Sequence, residues 1–278
     1  MRSPGDGRSV RCRRGDRTTA PWALTLPALV AVAFLLVPLA GLLVRAPWRD
    51  LPDLLAEPTV REALRLSLVS ASLATLCSLV LGVPLAWVLA RTSGPGISLL
   101  RALVMLPLVL PPVVGGVALL FALGRRGLVG QYLDAWFGIT LPFTTAAVVI
   151  AETFVAMPFL VVTVEGALRG ADRGYEEAAA TLGSRPLHTF RHVTLPLIGP
   201  SLAAGSVLCW ARALGEFGAT ITFAGNFPGT TQTMPLAVYL ALERDPEAAI
   251  ALSLVLLAVS VTALVLLRDR WLRAGTVA

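Results

Sequence analysis

The sequence predicts an all-α membrane protein with six transmembrane helices, and three observations support this prediction. More than half of the 278 residues are apolar and only 14% are charged, which gives a mean hydropathy of +0.76. The apolar residues form six runs, each near the length of about twenty residues that a helix needs to cross a bilayer. The basic residues, all of them arginine, flank these runs instead of clustering on one soluble face, which argues against a nucleic-acid partner.

The six predicted spans follow one another along the chain. They lie near Trp22 to Val44, Leu64 to Ala90, Ile97 to Leu123, Phe143 to Glu165, Leu197 to Phe223 and Ala248 to Leu267. The first run follows the basic stretch "RCRRGDR", as in a signal peptide, but it is too long and lacks a convincing small-residue cleavage site, so we expect it to be retained.

Four regions result from these spans. Residues 1–20 are predicted to be a disordered Arg-rich cytoplasmic tail that touches anionic lipid. Residues 21–60 hold the first transmembrane helix and an outer loop, and residues 61–267 form a five-helix core. This core includes a polar loop at residues 170–196, between spans four and five. Residues 268–278 are predicted to be a second cytoplasmic tail.

The distribution of arginine predicts the topology. Fifteen arginines lie on one side of the six spans, and seven lie on the other, where they are mixed with acidic residues. The more basic side of a membrane protein faces the cytoplasm. Both termini and the polar loop are therefore predicted to be cytoplasmic.

Several kinds of chemistry lack the residues they need. No lysine occurs in the chain, so it cannot carry a standard G-x-x-x-x-G-K-[ST] phosphate loop for ATP. The metalloprotease pattern H-E-x-x-H and the hydrolase turn G-x-S-x-G are absent as well. The three cysteines are odd in number and lack metal-like spacing, so no metal site is expected.

The polar loop contains the stretch "YEEAAATLGSRPLHTFRHVTLP", which carries both histidines of the chain. "YEEAAATL" favours a helix, Gly183 favours a stop, and "RPLHTFRHV" favours a second short helix with proline in its first turn. Leu195 and Pro196 then mark the return to an apolar segment. The loop is therefore predicted to be two short helices that meet at Gly183.

The spacing within this stretch resembles the EAA loop of ABC-importer permeases. Glu177, Ala178 and Ala179 are followed at fixed distances by Gly183 and by a terminal "VTLP", with Val193 where isoleucine is usual. The resemblance implies the type I ABC-importer permease fold, with a cytoplasmic coupling helix that enters a groove of a separate ATP-binding subunit. An amphipathic helix pair without a partner is the alternative. The residues assigned to coupling are Glu176, Glu177, Ala178, Ala179, Gly183, Val193, Leu195 and Pro196.

A second stretch, "RALGEFGATITFAGNFPGTTQTMPLAVY", is similar to the molybdate branch of the oxyanion importers. Sulfate permeases share "RALGE" and "AGN" but usually depart from this sequence after Glu216. This resemblance implies a path for molybdate, with tungstate inseparable from it. A sulfate or thiosulfate permease is the nearest alternative, and an ion-driven carrier or channel is a more distant one.

The family resemblance also implies the partners. We expect a second copy of the chain, two ATP-binding subunits and an extracytoplasmic oxyanion-binding protein, in a bacterial cytoplasmic membrane. No cofactor is expected on this chain, because ATP and Mg²⁺ would be bound by the partner subunit. The chain would then be a transporter subunit and not itself an enzyme.

Arg212 and Glu216 are candidates for the translocation path. They are four residues apart and are predicted to pair on one face of span five. Each would cost about 2.5–3.5 kcal/mol alone at the centre of a bilayer, so neither is expected to face lipid. The pair either lines the anion route or locks span five to its neighbours.

Four further candidates and one unassigned acid remain. Pro111, Pro112 and Gly115 are predicted to break or kink span three, either beside a water-filled cavity or only for packing. Thr220 offers a hydroxyl to the route or bonds back to its own helix. Glu152 is an isolated acid in span four that either bonds across helices or faces a cavity.

Overall fold

The computed structural model describes residues 22–274, and every regular element within them is a helix. The predicted tail at residues 1–20 lies outside the described residues, as does the part of the second tail at residues 275–278. The chain divides into two compact units, Met1–Arg45 and Ala46–Ala278. The described part of the first unit contains α1 (Trp22–Val44), whose apolar stretch buries no side chain and so offers a surface suited to lipid.

The second unit is built from thirteen α-helices and one π-helical turn across its described part. They are α2 (Leu51–Ala56), α3 (Pro58–Arg91), α4 (Pro95–Val109), α5 (Pro112–Leu123), α6 (Gly130–Phe137), α7 (Thr145–Gly170), α8 (Gly174–Thr181), α9 (Pro186–Thr189), the π-helical turn (Phe190–Thr194), α10 (Leu195–Leu197), α11 (Gly199–Leu214), α12 (Gly218–Phe223), α13 (Met234–Arg244) and α14 (Pro246–Ala274).

Four of the described helices are long and apolar enough to cross a membrane, namely α1, α3, α7 and the first part of α14. Two bent pairs of helical segments pass the same test together. The first is α4 with α5, and the second is the segment Pro186–Leu197 with α11. If each bent pair is one span, the count is six, in agreement with the sequence.

The sequence predicts that prolines break or kink span three, and the structure shows a break into two helices. Its two halves, α4 and α5, differ in direction by 117°. Leu110 precedes a proline and adopts an extended conformation, because the proline ring disfavours the helical conformation of the residue before it. Pro111 then lacks the N–H that would continue α4, and α5 begins anew at Pro112.

The ends of two other spans also differ from the prediction. The sequence predicts that span five reaches Phe223, but α11 ends at Leu214 and the separate helix α12 follows. The carboxylate of Glu216 accepts a hydrogen bond from the backbone of Ala219 and so caps α12 in the gap. The last helix continues past Leu267 to Ala274, since no proline or glycine interrupts it before Gly275.

Small residues hold the core of the second unit together. On α3, Ala71, Ala74 and Ala86 are fully buried in a cluster with Leu160 and Val161 of α7. Small side chains allow two helix backbones to approach closely, which replaces the hydrophobic driving force that is missing between helices in lipid. The α3–α7 pair therefore forms the centre of the unit.

Helices α5 and α12 approach one another even more closely. A Cβ atom added at Gly116 would lie 2.7 Å from the carbonyl oxygen of Ala219, and one added at Gly218 would lie 2.9 Å from the Cβ atom of Pro112. Both positions therefore require glycine. This contact brings the proline break of span three against the segment that follows Arg212 and Glu216.

Candidate functional site

The polar loop at residues 170–196 turns at Gly183 between two helical stretches, as the sequence predicts, but the second stretch is longer than predicted and continues to Leu197. Gly183 has φ +81°, in the left-handed region that favours glycine. Its N–H donates to the carbonyl of Ala180 at 2.9 Å, and the N–H of Ser184 donates to that of Ala179 at 3.0 Å. These bonds satisfy the last carbonyls of α8 and turn the chain toward α9.

The outer surface of this loop exposes three large apolar side chains among its polar ones. Leu182 is 88% exposed and Leu187 is 70% exposed, and Tyr175 is also exposed. Large apolar side chains that lie together on a surface mark a contact with another protein or with lipid. We call the exposed side of α8 and α9, with Leu182 between them, the docking surface.

The predicted coupling residues differ in how far they are exposed. The exposed ones are Glu177, Ala178, Gly183 and Pro196, and the half-buried ones are Glu176, Ala179, Val193 and Leu195. The prediction that all eight serve coupling stays a prediction. None of the eight is fully buried.

Glu176 differs from its neighbour Glu177 because it is bonded within the chain. Its Oε1 atom accepts a hydrogen bond from Arg91 Nη2 at 2.6 Å and another from Thr194 Oγ1 at 2.8 Å. Arg91 is the last residue of α3, and Thr194 is the last residue of the π-helical turn. Such turns are rare and frequently occur at functional sites.

A second group of ionic side chains surrounds the same end of α3. Glu165 Oε1 lies 2.9 Å from Arg101 Nε and 3.0 Å from Arg169 Nη2. Both arginines also donate to the carbonyl oxygen of Leu89, at 3.2 and 3.1 Å. From the sequence these arginines indicate only the topology, because nothing in their spacing shows that they converge on α3.

The predicted ion pair between Arg212 and Glu216 is present. Nη2 of Arg212 lies 2.6 Å from Oε2 of Glu216, whose side chain is 1% exposed. The contact is an ion pair without the alignment of a hydrogen bond. The two residues do not share a helix face, however, since Glu216 lies beyond the end of α11.

The other pathway candidates lie at the start of α5 and in α12. Thr220 is fully buried, and its hydroxyl oxygen has no hydrogen-bond partner in the described structure, so it does not bond back to its own helix. Pro112 contacts Gly218, and Gly115 packs against the ring of Phe154. Pro111 is exposed. The contact between Pro112 and Gly218 thus brings the proline break of span three against the segment after Arg212. The sequence predicts these two features separately.

Glu152 bonds across helices, which is one of the two roles that the sequence leaves open. Its Oε1 atom accepts a hydrogen bond from Ser70 Oγ at 2.8 Å, between α7 and α3. Its second oxygen is buried without a hydrogen-bond partner among the described residues. No pattern in the sequence selects Ser70 as the partner, although serines at positions 67 and 70 place two hydroxyls on one side of an apolar helix. Neighbouring Ser67 accepts a bond from the backbone of Met234 at 2.7 Å.

Across residues 22–274, no group of three or more His, Cys, Asp or Glu side chains could hold a metal ion. The arrangement as a whole offers two elements. One is a docking surface backed by ion pairs at the end of α3, and the other is a buried contact of α5 and α12 beside a neutralised arginine.

Comparisons with known proteins show the family of the chain. A family model described as "binding-protein-dependent transport system inner membrane component" matches residues 78–274. The chain is 51% identical over 243 residues to the molybdenum transport system permease protein ModB of Mycobacterium tuberculosis, across 87% of this chain and 92% of that relative. It is 38% identical over 236 residues to the sulfate transport system permease protein CysT of Salmonella typhimurium, across 84% and 85%.

A solved structure shares the fold. A chain in the crystal structure of a bacterial ABC transporter involved in the import of the acidic polysaccharide alginate superposes with a TM-score of 0.69. The superposition covers 90% of this chain and 92% of that chain, at 18% sequence identity. The shared architecture is that of an ABC-importer membrane subunit.

Proposed function

This chain belongs to the family of binding-protein-dependent transport system inner membrane components, and from this premise we propose that it forms the translocation path for molybdate in an ATP-driven importer. The observation that carries the choice of substrate is the higher identity to a molybdenum permease, 51%, than to a sulfate permease, 38%, over nearly equal lengths. Tungstate, an oxyanion of the same shape and charge, is expected to follow the same path.

ATP is bound and hydrolysed by other subunits of the importer. Because the chain has no lysine, it has no standard phosphate loop, and ATP and Mg²⁺ are bound by a separate ATP-binding subunit. The exposed apolar side chains Leu182, just after α8, and Leu187 on α9 support this assignment, since they offer a surface for that subunit to bind. ATP binding would move α8, and the helices tied to it would follow.

Two copies of the chain act with two ATP-binding subunits and one extracytoplasmic binding protein. A single six-span copy without an internal repeat supplies only half of a symmetric path, so a second copy supplies the other half. Both termini and the docking surface face the cytoplasm. The excess of arginine on that side of the spans supports this orientation in the inner membrane.

The candidate path residues offer only weak attraction to a dianion, so they would not hold it too tightly to be released. Arg212 is neutralised by Glu216, so this arginine does not act as a free, strongly binding cation at its place in the described structure. Thr220 retains a buried hydroxyl without a hydrogen-bond partner among the described residues, which is a neutral donor close in sequence to the same pair. A weakly attractive route of this kind lets the anion enter and leave.

Competition for uptake tests the substrate. The complete complex is reconstituted in vesicles, and ATP-dependent uptake of labelled molybdate is measured with excess unlabelled tungstate or sulfate. We expect tungstate to remove nearly all of the labelled uptake and sulfate to leave most of it. If sulfate competes as well as tungstate, the chain is a sulfate-type permease and the molybdate assignment is wrong.

A further inference from the structure

We propose that Glu176 is a positioning residue that passes the movement of α8 to α3 through Arg91 and Thr194, and that it does not contact the ATP-binding subunit. This inference rests on the proposed function, because it assigns a division of labour within the loop that would couple ATP to transport. From the sequence, both Glu176 and Glu177 are assigned to coupling, and this inference gives them different roles in it.

The bonding of Glu176 carries the first step. One carboxylate oxygen receives both the guanidinium of Arg91 and the hydroxyl of Thr194, at 2.6 and 2.8 Å. One donor precedes Glu176 in the chain, at the end of α3. The other follows it, in the π-helical turn that leads through α10 into α11. Glu176 therefore links α8 to two other segments of the chain. The neighbouring Glu177 is exposed instead.

Burial makes this link rigid. The side chain of Arg91 is 11% exposed and that of Glu176 is 24% exposed, so water competes only weakly for the pair. Among the described residues, Glu176 is the only acid within ion-pair distance of Arg91, and the buried Nε atom of Arg91 has no hydrogen-bond partner, so the guanidinium depends on Glu176 for its compensating charge. A buried charge that loses its partner is strongly unfavourable, so Arg91 is expected to move together with Glu176.

The far end of the link is connected to three membrane helices. Leu89, near the end of α3, accepts hydrogen bonds from Arg101 of α4 and Arg169 of α7. Glu165 of α7 holds both arginines in place. A displacement of α8 therefore moves α3, α4 and α7 together. Coupling between distant sites is carried by packed networks of this kind when they switch between two arrangements.

The position of the docking surface completes the argument. Leu182, Leu187 and Glu177 are exposed on the polar loop, whereas Glu176 bonds inward to a residue of another helix. A partner that seats on the exposed side pushes against a helix whose other side is fixed to α3. The loop thus has a contacting face and a transmitting face.

The test measures transport per ATP in the complete complex reconstituted in vesicles. Glu176→Gln removes the charge and keeps the shape of the side chain. We expect uptake per ATP hydrolysed to fall about fivefold or more, at the lower end of the range for coupling between two sites. ATP hydrolysis and copurification of the ATP-binding subunit should stay close to those of the wild type. The exchanged pair Arg91→Glu with Glu176→Arg should restore much of the lost coupling.

A matched control comes from another part of the chain. Arg125 and Asp134 form an ion pair of similar length, 2.9 Å, outside the helices that cross the membrane. Asp134→Asn should leave uptake per ATP unchanged. Thr194→Val provides a milder variant of the same link and should lower coupling less than Glu176→Gln does.

Three results would overturn the inference. Unchanged uptake per ATP in Glu176→Gln would show that the ion pair does not transmit, even if the variant is less stable in detergent. Loss of the ATP-binding subunit from Glu176→Gln would make Glu176 a docking residue. Failure of the exchanged pair to restore coupling would exclude a charge-dependent link. Absence of ATP-dependent uptake in the wild-type complex would instead refute the proposed function, and the relay with it.

Discussion

Replacement of Gly183 by glutamate is expected to lower ATP-dependent uptake by more than about tenfold while the helices stay folded and inserted, within the range of known allosteric couplings. Gly183 has φ +81° at the end of α8, and a residue with a side chain is disfavoured there by about 1–2 kcal/mol. A Cβ atom at this position meets nothing within 4 Å, so the substitution causes no clash inside the chain. Its effect falls on the docking surface, which would gain a negative charge and lose its turn geometry.

A second glycine provides the control. Gly138 has φ +65°, also with nothing within 4 Å of an added Cβ atom, but it lies between α6 and α7, away from the polar loop. Gly138→Glu therefore imposes the same kind of backbone strain and the same charge at another place. Uptake should remain near the wild-type rate in this variant. Full uptake in Gly183→Glu would contradict the assignment of the polar loop to coupling.

Removal of the Glu216 side chain is expected to lower the stability of the folded chain strongly. The side chain is 1% exposed, it neutralises Arg212, and it caps α12 through the backbone of Ala219. Breaking a buried ion pair by removing one partner costs about 3–5 kcal/mol. Since the side chain of Arg212 is partly exposed, we expect the lower end of this range for Glu216→Ala. The unfolding midpoint in detergent should fall by roughly 6–12 °C.

An exposed acid provides the control for stability. Glu177→Ala removes such an acid and should change the midpoint little, since surface substitutions usually cost under about 0.5 kcal/mol.

A double variant separates the structural role of the pair from a role in transport. Arg212→Met with Glu216→Leu removes both charges and should be more stable than Glu216→Ala alone. If this double variant is stable but does not transport, the pair serves the anion route, whereas full transport would limit it to packing. A wild-type midpoint in Glu216→Ala would contradict the account of the pair.

The elements that can be predicted well from the sequence are those with a local signal. Apolar length alone is sufficient to place α1, α3, α7 and the start of α14, because a bilayer demands a fixed number of apolar residues. The turn at Gly183 follows from one glycine after a helix-favouring run. The proline pair correctly indicates a break in span three.

The features that the sequence could not predict depend on contacts between distant segments. The angle of 117° between α4 and α5 accompanies the close approach of α5 and α12 at Gly116 and Gly218, which are far apart along the chain. The inward orientation of Glu176 depends on Arg91, which is 85 positions away along the chain. The serine that pairs with Glu152 is 82 positions away. Local patterns carry no information about such partners, so spacing within one segment could not identify them.

The central claim is that this chain is the path of an importer whose energy comes from a separate ATP-binding subunit. The most direct measurement is uptake of labelled molybdate into vesicles that contain either the chain alone or the complex with ATP-binding subunits and binding protein. We expect no uptake by the chain alone under an ion gradient and substantial uptake by the complex when ATP is present. Uptake of molybdate by the chain alone would contradict the account and identify an ion-driven carrier or a channel.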